Sequence, residues 1–131
     1  MSDYTHINLK DDVDDQAPNF GLSPNLEARM ARVPLGMEQA GLSYLRIAPG
    51  FRLPFAHKHK NQEEVYVLVS GSAKIKLEDD VRELKQWDAV RVHKDTVRGF
   101  EGGENGAELL VIGAPSTGPG DAEVLQDWWS D

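Results

Sequence analysis

The sequence predicts an all-β domain, an antiparallel sandwich or barrel, and three observations carry that reading. Short segments with two-residue alternation or β-branched enrichment recur at residues 26–33, 42–47, 64–69, 73–77, 89–92 and 108–112. Combinations suited to chain reversal separate them: Pro34-Leu35-Gly36, Pro49-Gly50, Ser70-Gly71-Ser72, Asp79-Asp80, Gly102-Gly103 and Asn105-Gly106. Between these strands there is no amphipathic stretch of helical length, which points away from α/β architectures.

The chain of 131 residues is long enough to bury roughly two thirds of its unfolded surface in one core. An apolar fraction of 40% with 27% charged residues is that of an ordinary globular protein. Residues 1–25 read as an arm, with an acidic cluster at Asp11, Asp12, Asp14 and Asp15, two prolines and little periodicity. The cluster lacks the sixth-position glycine and closing Glu of a calcium loop, so it reads as a solvated charge run. Residues 26–131 form the single β-domain. At its end, Asp121 is placed to cap a short helical turn that sets Leu125 and Trp128 on one face. Trp128 and Trp129 are read as closing a barrel mouth or a subunit contact rather than as a ligand platform.

Charge and composition exclude several functions. With 22 acidic and 14 basic residues the net charge is −8, a field that repels phosphate backbones and anionic lipids. Nucleic acid and membrane surfaces are therefore not expected partners. Cysteine is absent, which removes thiolate sites and leaves His, Asp and Glu as metal ligands. Residues 1–10 carry no signal-like apolar stretch and runs such as 65–69 are too short to span a bilayer, so the expected location is cytoplasmic.

The chemistry concentrates at His57-Lys58-His59. Two histidines one residue apart project from the same face of an extended strand. Glu64 opens the following apolar strand and can return a carboxylate to that face after a turn at Lys60-Asn61-Gln62. Two imidazoles and one carboxylate make a facial triad, compatible with Fe, Mn, Ni, Co or Zn. The plain alternative is a pair of solvated surface histidines, since such pairs also arise by chance.

Here the sequence resembles a family. Gly50, His57, His59, Glu64 and Gly71, in the string Gly-x6-His-x-His-x4-Glu-x6-Gly, resemble the first motif of the cupins, with one extra residue between Gly50 and His57. Residues 84–100, LKQWDAVRVHKDTVRGF, are similar to the second cupin motif. The resemblance implies a small single-domain cupin of the type-2 conserved-barrel kind, a double-stranded β-helix or jelly-roll barrel followed here by the short C-terminal helical turn. It further implies a mononuclear divalent metal at His57, His59 and Glu64. Three departures stand in the second motif: Trp87 for a glycine, His93 for the turn proline and Asp95 for a second glycine. A fourth matters most, because Arg98 occupies the place of the family's last metal ligand, and a guanidinium has no lone pair to give.

A +1 charge about 5 Å from a +2 ion at an effective dielectric of ~20 is repelled by roughly 6–7 kcal/mol. Arg98 therefore has three arrangements open to it. It can pair with Glu64 in a metal-free pocket, hold an anionic ligand that also meets the metal, or turn to solvent and leave coordination positions to water. His93 is a weaker replacement ligand, since a turn-proline position faces away from the interior. His6 reads as a surface residue. Tyr66, by alternation, shares the inward face with Glu64, as packing or as a polar partner for a bound anion beside Arg98.

Two functions follow. One is a metal-dependent enzyme, an oxygenase, isomerase or decarboxylase by resemblance. The other is a non-catalytic module in which Arg98 replaces the metal ligand and a small, anionic metabolite is bound without turnover. Jelly-roll edges are commonly paired, so a homodimer is expected.

Overall fold

The computed structural model describes residues 3–114, 121–126 and 128–129. Eight strands make one curled antiparallel sheet: β1 (Leu26–Met30), β2 (Gly41–Ile47), β3 (Phe55–His59), β4 (Glu64–Leu77), β5 (Asp80–Leu84), β6 (Ala89–Val92), β7 (Arg98–Gly113) and β8 (Ala122–Gln126). The long β4 and β7 pair along most of their length, from Glu64↔Gly113 to Leu77↔Arg98, and form the spine. β2 joins the far side of β7 and β1 closes that edge. β5 and β6 fold back on β4, and β3 joins β7 at its amino-terminal end. No helix among the described residues is long and apolar enough to cross a membrane.

Alternation explains the core. Along β4, Tyr66, Leu68 and Ile75 turn inward and meet Ile47, Val92, Phe100 and Leu109, all almost wholly buried. The segment before β1 is tied to this core: Ala17 lies fully buried within it, and the Asp15 carboxylate accepts the N–H groups of Ala17 and Ala28.

Several elements differ from the sequence reading. β1 stops at Met30, and residues read as its continuation form one helical turn, Arg32–Leu35. Pro34 fits a first helical turn, where no N–H is needed, and Gly36 at φ 70° ends it. Ser70-Gly71-Ser72 is no reversal. It is a register irregularity inside β4, and Gly102-Gly103 and Asn105-Gly106 likewise lie within β7. At Gly71 (φ 80°) an added Cβ would sit 2.0 Å from the Gly106 carbonyl oxygen, so this glycine serves a close backbone crossing.

The C-terminal helical turn is corrected. Residues Ala122–Gln126 are strand β8, paired antiparallel with β3 from His59↔Ala122 to Phe55↔Gln126. Five residues with mixed spacing fit either periodicity, and the open edge of β3, with its unpaired backbone groups, decides for the strand. Beyond it, Trp128 packs against Gly99 and under the Lys76 ammonium, 4.3 Å from its ring centroid. Arg52 lies 4.3 Å over the Trp129 ring. Both indoles thus pack on the barrel's own cations.

Trp87, standing where the resembled motif has glycine, adopts φ 75°. An L-residue there carries about 1–2 kcal/mol of strain, which explains the family's preference. The turn is held by Trp87 N–H donating to the Leu68 carbonyl at 2.6 Å and Lys85 N–H donating to Asp88 Oδ2 at 2.9 Å.

Candidate metal centre

β3 and β4 bring the first-motif residues together. His57 and His59 project inward from β3, their rings perpendicular with centroids 5.0 Å apart. The short connection to β4 returns Glu64, whose Oε1 lies 3.1 Å from His59 Nε2 and 3.6 Å from His57 Nε2. One donor atom from each of the three lies within 4.8 Å of the others. Ligands bound at about 2.0–2.2 Å to one ion stand roughly 3–3.5 Å apart, so the Glu64 spacings fit the donor set of a divalent metal with modest adjustment at the histidine pair. His59 and Glu64 are buried, while His57 remains partly exposed and marks the way in.

The residues around this trio fix its protonation. Tyr66, two residues along β4 on the same face, donates its O–H to Glu64 Oε1 at 2.5 Å. Burial opposes ionisation of Glu64, but the bonds from His57, His59 and Tyr66 outweigh it and hold the carboxyl far below its ordinary range. Burial and the adjacent Glu64 charge push the Tyr66 hydroxyl well above its ordinary value against the opposing pull of Arg98, so it remains a donor. A permanently ionised carboxylate is what a divalent cation needs.

Sequence reasoning missed Asp121. Its Oδ2 lies 2.9 Å from His59 Nδ1, and its Oδ1 accepts the backbone N–H of Asn61 at 3.1 Å and the Asn61 side-chain amide at 3.3 Å. Almost wholly buried at the head of β8, it is no helix cap. A carboxylate that accepts the Nδ1–H fixes the ring with Nε2 turned to Glu64, the atom that would be offered to a metal, the orienting arrangement common behind metal-ligating histidines. Burial of His59 opposes its protonation, yet contacts with Glu64 and Asp121 raise its affinity for a proton overall; Arg98 pulls the other way. Nothing local in the sequence marks Asp121, which stands 62 residues from its partner.

Arg98 is paired in register with His57 across β3 and β7 and is fully buried. The solvent-facing arrangement is thereby corrected: the core closes over this position. Nor does Arg98 form a two-pronged pair with Glu64. Its Nη2 donates to the His93 carbonyl at 3.1 Å, whereas Nε and Nη1 are buried without a hydrogen-bond partner among the described residues. Each such orphaned donor costs about 1–3 kcal/mol. The His93 ring is exposed and accepts the Asp95 N–H at 3.1 Å, so it is not brought to the site, and His6 is exposed.

No family model and no curated protein matches this chain. Solved structures do. A cupin protein of Bacteroides fragilis aligns over 100% of this chain and 99% of its own, at 21% identity and a TM-score of 0.71. The chain has the cupin fold. A variant of Streptomyces PAC13, solved with uridine, aligns over 96% of this chain and 92% of its own, at 14% identity and a TM-score of 0.71. A variant of Bacillus subtilis oxalate decarboxylase aligns over 92% of this chain at 19% identity and a TM-score of 0.74. The chain spans 31% of that enzyme's length. Identities this low carry the cupin architecture and no activity.

Proposed function

We propose that this cupin barrel holds one divalent transition metal through His57 Nε2, His59 Nε2 and Glu64 Oε1, and presents it to a small molecule that is bound or transformed there. The observation that carries this reading is the converging trio with His59 Nδ1 tied to Asp121, so that Nε2 points at Glu64. A bound ion of this kind supplies a Lewis-acid centre with open positions for a ligand. The protein's own residues orient it: Glu64 brings the negative charge, Tyr66 steadies that carboxylate, and the partly exposed His57 edge admits the ligand. Binding of small molecules in the same fold accords with the uridine of the PAC13 structure and with the name of oxalate decarboxylase. Oxygenase, isomerase and decarboxylase chemistry are the enzyme classes to assay.

A metal-free module is the second reading, favoured by the contacts of His59, His57 and Tyr66 that satisfy Glu64 without an ion. Elemental analysis of protein purified without a histidine tag separates the two. About one equivalent of metal in the wild type and none in the His57→Ala/His59→Ala double variant is the expected result. Equal trace metal in both removes the metal reading.

We also propose a homodimer, formed across the β1 edge, where Met30 and the adjoining Val33 are exposed. A sedimentation mass equal to one chain at micromolar concentration would contradict it.

A further inference from the structure

Arg98 is a permanent cation enclosed in the barrel, with Nε and Nη1 lacking any hydrogen-bond partner among the described residues. Glu64, the carboxylate of the trio, is engaged by His57, His59 and Tyr66 and makes no ion pair with Arg98 among the described residues. Arg98 stands in register opposite His57 across β3 and β7, which places it beside the same site. A buried charge with orphaned donors is complementary to an anion.

The geometry narrows the anion. Nη2 carries two hydrogens, and one is given to the His93 carbonyl. Whichever one that is, the other is parallel to an N–H of Nε or of Nη1, so one complete two-pronged edge of the guanidinium remains. A planar carboxylate matches such an edge with two parallel N–H···O bonds. A tetrahedral phosphate would offer that edge two of its oxygens and bury the others without the donors they need. Tyr66 gives its hydroxyl hydrogen to Glu64 and so does not serve the anion.

We propose that the barrel recognises a small molecule bearing a carboxylate, held by the two-pronged edge of Arg98, with the rest of the molecule extending toward His57, His59 and Glu64. That last placement rests on the metal reading; the carboxylate fork does not.

The test is a titration of 15N-labelled protein with propionate, its neutral isostere propionamide and inorganic phosphate, following the Arg98 guanidinium resonances by NMR. Zinc affinity is measured by calorimetry on the same samples. Saturable shifts with propionate are expected, with propionamide and phosphate each at least tenfold weaker. Arg98→Gln and Arg98→Lys should both weaken propionate at least tenfold, the lysine because it keeps the charge and loses the fork, while zinc binding persists. If the variants fail to fold, the discrimination between propionate and propionamide by the wild type still decides. Zinc binding without a propionate response overturns the carboxylate site and leaves the metal reading standing. An Arg98-dependent propionate response without zinc binding does the reverse. Propionamide or phosphate binding as well as propionate, or unchanged binding in both variants, also overturns the carboxylate site.

Discussion

Asp121→Ala is expected to weaken zinc binding 10- to 100-fold, about 1.4–2.8 kcal/mol, while the barrel remains folded. Asp121 touches none of the other proposed ligands, and its effect passes through His59. With the carboxylate gone, the Nδ1 proton has no acceptor, and the imidazole can rotate or adopt the tautomer that places a hydrogen on Nε2, the atom needed for the metal. Asp121→Asn should fall between, because its amide oxygen still accepts from Nδ1 but without the negative charge. The measurement is a zinc dissociation constant from competition with a chromogenic chelator, alongside a thermal melt. A constant within threefold of the wild type in folded Asp121→Ala would show that the Asp121 contact serves only to seat β8.

Gly71→Ala should produce the largest loss of stability of any single methyl added to the barrel. The new Cβ would stand 2.0 Å from the Gly106 carbonyl oxygen and 2.9 Å from its carbon, and both are backbone atoms of the strand opposite. The residue would also have to hold φ 80°, which costs an L-residue about 1–2 kcal/mol. Overpacking adds roughly 1–3 kcal/mol. A total of about 2–5 kcal/mol is a large part of the ~5–15 kcal/mol that keeps a domain folded. Urea denaturation followed by circular dichroism reads it directly, and a loss below about 1 kcal/mol would mean that β4 and β7 do not cross so closely at this point.

The same glycine shows where sequence reading stops. Alternation along 64–69 and 89–92 placed strands correctly, because the pattern of inward and outward residues is written locally. Gly71, Gly102, Gly103 and Gly106 carry the signature of reversals in the sequence, since a glycine that permits a turn and one that permits another backbone to pass look alike in one dimension. β4 and β7 therefore emerged as longer, bent strands than the turn signals implied. His57, His59 and Glu64 were legible because their spacing is short and resembles a known motif. Asp121 was not: its partner lies across the sheet, and the strand that carries it forms only because β3 offers an unpaired edge. Arg98 was legible as a departure from the motif, but its orphaned donors are a property of burial that no spacing encodes.

The attachment of β3 bears on how such a barrel can diversify. Among the described residues its ladder with β7 is the single pair His57↔Arg98, and it is otherwise laid against β8, whose residues are mostly exposed, while the tightly packed core runs through β2, β4 and β7. Of the donor pair on β3, the partly exposed His57 can be exchanged with little repacking of the interior, whereas His59 is buried between Glu64 and Asp121. Mutation can explore new side chains at 57 while the spine and the buried His59 keep the fold intact, a separation of stability from chemistry that favours functional drift within one architecture.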